Sequence, residues 1–98
     1  MTKIVYNACF GGFRLSSNAV QLGREISGDP MWGEDQDDIP RHDPVLVQVV
    51  EQLGVKACTR VSNLCIAEVP SGTEYRIDEY DGAESVQTKD SYDWIVAP

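Results

Sequence analysis

The stretch Asp43–Gly54, "DPVLVQVVEQLG", constrains the fold of this chain more than any other. Asp43 is a good N-cap because its carboxylate accepts a free backbone N–H. Pro44 suits the first helical position, where a missing N–H costs nothing. Leu46, Val49, Val50 and Leu53 then recur at i, i+3, i+4 and i+7, and Gly54 stops the run. Four of its residues, Val45, Val47, Val49 and Val50, are valines, and valine is a modest helix former. Packing against an apolar neighbour must therefore hold this helix, so the rest of the chain has to supply a core. Residues 55–61 add a further helical turn with Ala57 and Cys58 inward.

A second helix is expected over 16–27, where Ala19, Leu22, Gly23 and Ile26 line one face. Ser16 or Ser17 is available as its cap, and Gly28 ends it. Before it, "KIVYN" (3–7) reads as a β-strand, apolar enough on both faces for a central place in a sheet. After residue 62 the period changes from helical to alternating. "LCIAEVP" (64–70) and "EYRIDEY" (74–80) read as strands separated by the turn "SGT", and "DG" at 81–82 marks another turn. "ESVQTK" reads as a weaker strand, and "YDWIVAP" as a segment that docks as a strand or covers the core. The expected fold is a single α+β domain over 1–98, ordered β-α-α-β-β-β. It has a small, mostly antiparallel sheet with two helices packed on one face.

At 98 residues there is room for one modest core. Sixteen acidic against eight basic residues give a net charge of −8. Such a chain is repelled by nucleic acid and by anionic membranes, and it suits a basic surface on another protein or simply favours solubility. The excess is concentrated. Residues 29–38 hold five acids and no base, within an acidic loop at 28–42, and residues 74–93 hold seven acids against Arg76 and Lys89. The loop is long for so small a domain, and loops of that length tend to be functional or disordered. Its Trp32 either tucks back as an anchor, the favoured reading, or stays exposed as a contact. No apolar run reaches the length of a membrane span, and no apolar segment follows Lys3, so no secretory leader is read and a cytoplasmic setting is expected.

Three cysteines, Cys9, Cys58 and Cys65, share no ligand spacing. A disulfide framework or zinc site is not expected, and no cofactor or metal is assigned. Cys58 and Cys65 read as small core residues. Cys9 stands at a strand end beside glycines, where a helix N-terminus aimed at it would lower its pKa. With His42 the only histidine and no third group to orient the pair, catalysis is not expected.

Three stretches remain as sites. "NACFGGFRLSSN" (7–18) places Gly11 and Gly12 between a strand and a helix. This arrangement either gathers backbone N–H groups around an anion, with Cys9, Arg14, Arg41 and His42 nearby, or merely turns the chain. "IPRHDP" (39–44) holds Arg41 and His42 between prolines. It either presents them to a ligand or pairs Arg41 with the acidic loop and packs His42 at the helix entry. "DEYDG" (78–82) carries Asp78, Glu79 and Asp81. Alternation points Asp78 and Glu79 apart, which favours a solvated edge over a shared cation site.

Taken together, "KIVYNACFGGFRLS" (3–16) and "DIPRHDPVLVQVVEQLG" (38–54), with "IAEVP" and "YRIDEYDG" after them, resemble a family of small bacteriophage and prophage proteins. That family reads approximately K-I-V-x-N-x-C-F/Y-G-G-F-x-L-S and I-P-R-x-D-P-x-L-V-x-V-V-E-x-L-G. The chain departs at "DSYDWIVAP", which lacks the family's basic, aromatic C-terminus, and in its more acidic central loop. The resemblance implies a phage setting in the host cytoplasm and brings no catalytic residues with it. The expected function is a non-enzymatic inhibitor of a host factor, for instance a CRISPR-type anti-phage defence complex. It would bind a host protein or protein complex through Asp35, Asp37, Asp38, Asp78, Glu79 and Asp81. The alternative is a sponge for a nucleotide signal using Cys9, Gly11, Gly12, Arg14, Arg41 and His42, with a homo-oligomer enclosing the ligand.

Overall fold

The computed structural model describes residues 1–88 and 97. It contains β1 (Thr2–Asn7), α1 (Ser17–Ser27), α2 (Pro44–Leu53), β2 (Leu64–Val69), β3 (Tyr75–Tyr80) and β4 (Ala83–Thr88), a small α+β fold in the expected order. Short 3-10 turns at Gln36–Asp38 and Gly54–Ala57 flank α2. The C-terminal segment "YDWIVAP" lies outside the described residues apart from Ala97. Among the described residues no helix is long and apolar enough to cross a membrane.

Local signals set the helix ends. Ser16 caps α1, its hydroxyl accepting from the Ala19 N–H at 3.1 Å while donating to the Lys56 carbonyl at 2.7 Å. Gly28 closes α1 in the left-handed region at φ 70° with its N–H on the Arg24 carbonyl. Asp43 caps α2 and Pro44 opens it. Leu46, Val49 and Val50 are buried as their spacing requires, and Val47 joins them. The two helices pack on each other, and α2 lies against β1 and β2. The core gathers Val5, Phe13, Leu15, Ala19, Ile39, Leu64 and Ala57 around the α2 stripe.

The strands differ from the expected single sheet. β1 pairs antiparallel with β2 and β3 with β4, giving two separate two-stranded ribbons. Among the described residues β1 therefore has one hydrogen-bonded strand neighbour rather than the central place that its apolar faces implied. Ile4 and Val5 are nonetheless fully buried. The open edge of β1 is closed by other groups. The Val5 N–H donates to the Arg41 carbonyl at 2.8 Å, and the Asn7 N–H donates to Oε1 of Glu84 at 2.9 Å. A side chain of β4, not its backbone ladder, meets β1 there.

The β3–β4 hairpin turns through Asp81 and Gly82, both at positive φ (52° and 90°), the type I′ pattern that the dipeptide Asp-Gly supports. The acidic segment 28–42 is a run of bonded turns. Asp29 accepts from the Met31 N–H at 2.9 Å, Asp35 from the Asp37 N–H at 3.2 Å, and the Gln36 side chain from the Leu15 N–H at 2.8 Å. Trp32 anchors it. Its indole lies so close to α1 that a Cβ on Gly23 would stand 2.0 Å from it, and its N–H donates to Asp43 at 3.2 Å. Cys58 and Cys65 are half-buried rather than core residues. The Cys58 sulfur accepts from the Leu64 N–H at 3.2 Å, and a polar contact of this kind holds it at the core margin.

Candidate functional site

Asn7 is the hub of the glycine-turn region. It is fully buried, and its amide donates to the carbonyls of Cys9 at 2.6 Å and Gly82 at 2.9 Å. Its carbonyl oxygen accepts from the Asn63 N–H at 2.8 Å and the Cys9 N–H at 3.4 Å. One asparagine at the end of β1 thus ties together the 9–12 turn, the segment before β2 and the hairpin turn. Protein lies hard against Gly11 and Gly82, whereas a Cβ on Gly12 would meet nothing within 4 Å. A Cβ on Gly11 would lie 2.0 Å from the Val61 carbonyl oxygen. One on Gly82 would lie 2.0 Å from the Phe10 carbonyl oxygen and 2.9 Å from the Gly12 nitrogen. Glycine here permits backbone-to-backbone packing. Helix α1 starts only at Ser17, capped by Ser16, so its N-terminus is not at Cys9.

Arg41 is engaged inside the fold. Its guanidinium makes a two-pronged pair with Glu84, Nη2 to Oε2 at 2.9 Å and Nη1 to Oε1, with both side chains largely buried. Its Cζ also stands 3.8 Å from the Phe13 ring centroid, a cation–π contact. Of the alternatives left open for Arg41, pairing with the acidic loop is not the one seen: its carboxylate partner is Glu84. A carboxylate from β4 wins because two parallel hydrogen bonds in a dry site outweigh contact with solvated carboxylates. His42 is exposed and its Nδ1 is hydrogen-bonded to the Tyr75 hydroxyl at 2.6 Å, with the rings edge-on. It meets β3, not the helix entry. Burial raises the Tyr75 pKa, against the opposing pull of Arg41. Arg14 is exposed.

The acids behave differently. Asp35, Asp37 and Asp38 are exposed around the 3-10 turn Gln36–Asp38 and form no ion pair among the described residues. The charge and hydrogen bond of Asp35 raise the pKa of Asp38, with smaller contributions from desolvation and Asp37. Beside them runs a groove lined by Met31, Trp32, Ile39 and Pro40 and rimmed by Asp35, Asp38 and Asp43. At the hairpin, Asp78 is paired with Arg76 at 3.0 Å, whereas Glu79 and Asp81 are exposed. No group of three His, Cys, Asp or Glu among the described residues is placed to hold a metal ion.

No protein-family model matches the chain, and neither a curated protein nor a solved structure matches it.

Of the ligand set Cys9, Gly11, Gly12, Arg14, Arg41 and His42, the fold brings the first three into one turn and turns Arg41 inward to Glu84. Sequence reading counted Glu84 only as part of an acidic excess and gave Asn7 only the role of ending a strand. Neither residue type announces a partner dozens of positions away. The groove beside Asp35 was likewise hidden. Met31, Trp32, Ile39 and Pro40 line it only once the 28–42 segment has folded.

Proposed function

We propose that this chain is a non-enzymatic interaction protein that binds a basic surface of another protein through the 31–43 segment. One observation carries this reading: Asp35, Asp37 and Asp38 crowd one another with no described base to neutralise them, and Asp35 and Asp38 stand on the rim of an apolar groove. Mutual repulsion among these carboxylates is relieved when a cation docks. An apolar strip beside charged rims is the layout of a protein-binding patch, with a dry centre supplying affinity and the charges supplying steering. The exposed hairpin acids Glu79 and Asp81 are not part of this groove. The resemblance to small phage proteins supplies the setting, so the partner is a host factor in the bacterial cytoplasm. A CRISPR-type defence complex, whose nucleic-acid-binding groove is basic, is the class that fits this chemistry.

The test is plaque formation on bacteria that carry a CRISPR-type system directed against the infecting phage. Expression of the wild-type chain is expected to restore plaques. The Asp35→Lys/Asp37→Lys/Asp38→Lys variant, folded by circular dichroism, is expected to lose that effect. Undiminished immunity with the wild type present, or full protection by the triple variant, rejects the proposal.

A further inference from the structure

The end of the molecule opposite in character to the acidic groove is where three turns meet: 10–12, 59–62 and 81–82. Asn7 bonds to the chain at Cys9, Asn63 and Gly82, and the Ser62 hydroxyl donates to the Arg14 carbonyl at 3.0 Å. The platform is thus built from interlocked backbone rather than from loose loops. Upon it stand three large apolar residues in solvent, Phe10 at 67%, Val61 at 52% and Tyr80 at 81% exposure. Gly11 packs against Val61 and Gly82 against the Phe10 carbonyl, and Tyr80 pairs with Ala83 across the 81–82 turn, so the backbone brings the segments carrying these three residues to one end. Exposed Arg14 and Arg60 flank it without an ion pair among the described residues, while Lys3, Arg41 and Arg76 all have carboxylate partners. Exposed Asp81 sits at the same end.

We propose that this patch is a self-association surface through which two copies of the chain meet about a twofold axis. The occupant follows from charge. Two chains of net charge −8 repel over most of their surfaces. At this end each copy presents both signs beside apolar groups, so a twofold axis sets Arg14 or Arg60 of one copy toward Asp81 of the other. A purely basic partner would meet the arginines, and a purely acidic one would meet Asp81. Only a surface of mixed sign answers both, and the same patch on a second copy is such a surface. Aromatic anchors on a preorganised platform lose little freedom on docking. This inference is independent of the acidic groove and survives whatever that groove binds.

Sedimentation of the full chain over a concentration series tests it. The expected result is a rise from 10.9 kDa toward twice that mass. Tyr80→Ala removes an aromatic anchor from both copies at once and should raise the dimer dissociation constant roughly a thousand-fold. Arg14→Glu/Arg60→Glu should leave only monomer, and adding Asp81→Asn, a residue that tolerates the left-handed backbone, should recover part of the dimer. These side chains face solvent in the monomer, so circular dichroism should be unchanged. A single monomer mass at every concentration overturns the proposal. So does a dimer that neither Tyr80→Ala nor Arg14→Glu/Arg60→Glu weakens, since the contact then lies elsewhere.

Discussion

Arg41 grips both carboxylate oxygens of Glu84, and through that pair the approach to α2 is bound to β4 across 43 positions of sequence. The same Glu84 Oε1 accepts the Asn7 N–H of β1. One carboxylate therefore joins the hairpin, the helix entry and the first strand.

Breaking that pair should be costly. Side-chain exposures of 15% and 8% mean that either partner left alone is a buried, uncompensated charge. Arg41→Ala or Glu84→Ala is expected to remove about 3–5 kcal/mol of stability, read as a lower urea midpoint. Arg41→Lys should lie between, because the charge stays while the fork is lost.

The two neighbouring glycines should respond differently to alanine. Gly11→Ala drives a Cβ into the Val61 carbonyl, where backbone must move, and should cost roughly 3 kcal/mol or more. Gly12 has φ 90° but nothing within 4 Å of its would-be Cβ, so Gly12→Ala should cost only the left-handed strain of about 1–2 kcal/mol. Thermal unfolding of both variants checks the order. Equal losses would mean that Val61 does not press on the turn.

Gly23 offers a reversal of sign. In an exposed helix Gly→Ala gains about 1 kcal/mol. Here the new methyl would stand 2.0 Å from the Trp32 ring, so Gly23→Ala should destabilise the protein. In a Trp32→Ala background the same change should become neutral or stabilising. A double-mutant cycle with no coupling between positions 23 and 32 would place Trp32 away from α1.

The acidic rim should titrate in a particular direction. Asp35 raises the folded-state pKa of Asp38 above the ordinary carboxylate value. The native state then binds the proton more readily than the unfolded chain does. Crowding consequently penalises the fold at neutral pH, and the penalty is relieved as pH falls through the raised pKa. Asp35→Asn should bring the Asp38 carboxyl back toward its ordinary range, followed by NMR of its side-chain carbon. Lys3 runs the other way. Its hydrogen bond and charge pairing with Glu51 raise its pKa, so that contribution is present below the ordinary lysine value and is lost as pH rises through the raised one. Glu51→Gln should erase the alkaline component.

The extent of both helices, the Asp-Gly hairpin and the order of the strands were legible because each depends on neighbours a few residues apart. Ser16, Gly28, Asp43, Pro44 and Gly54 act through backbone groups within one turn of themselves, and apolar spacing reports a buried face whatever covers it. The acidic rim was legible too, since carboxylates at 35, 37 and 38 without local bases remain in water. What only the tertiary structure decided is which distant groups satisfy one another. Asn7 finds Gly82, Arg41 chooses Glu84 over the nearby aspartates, and Trp32 lies on Gly23. Arg41 and Asn7 each had several partners of suitable chemistry in the sequence. The choice among them turns on which one burial brings within 3 Å in a dry setting, and that distance exists only once the core has formed.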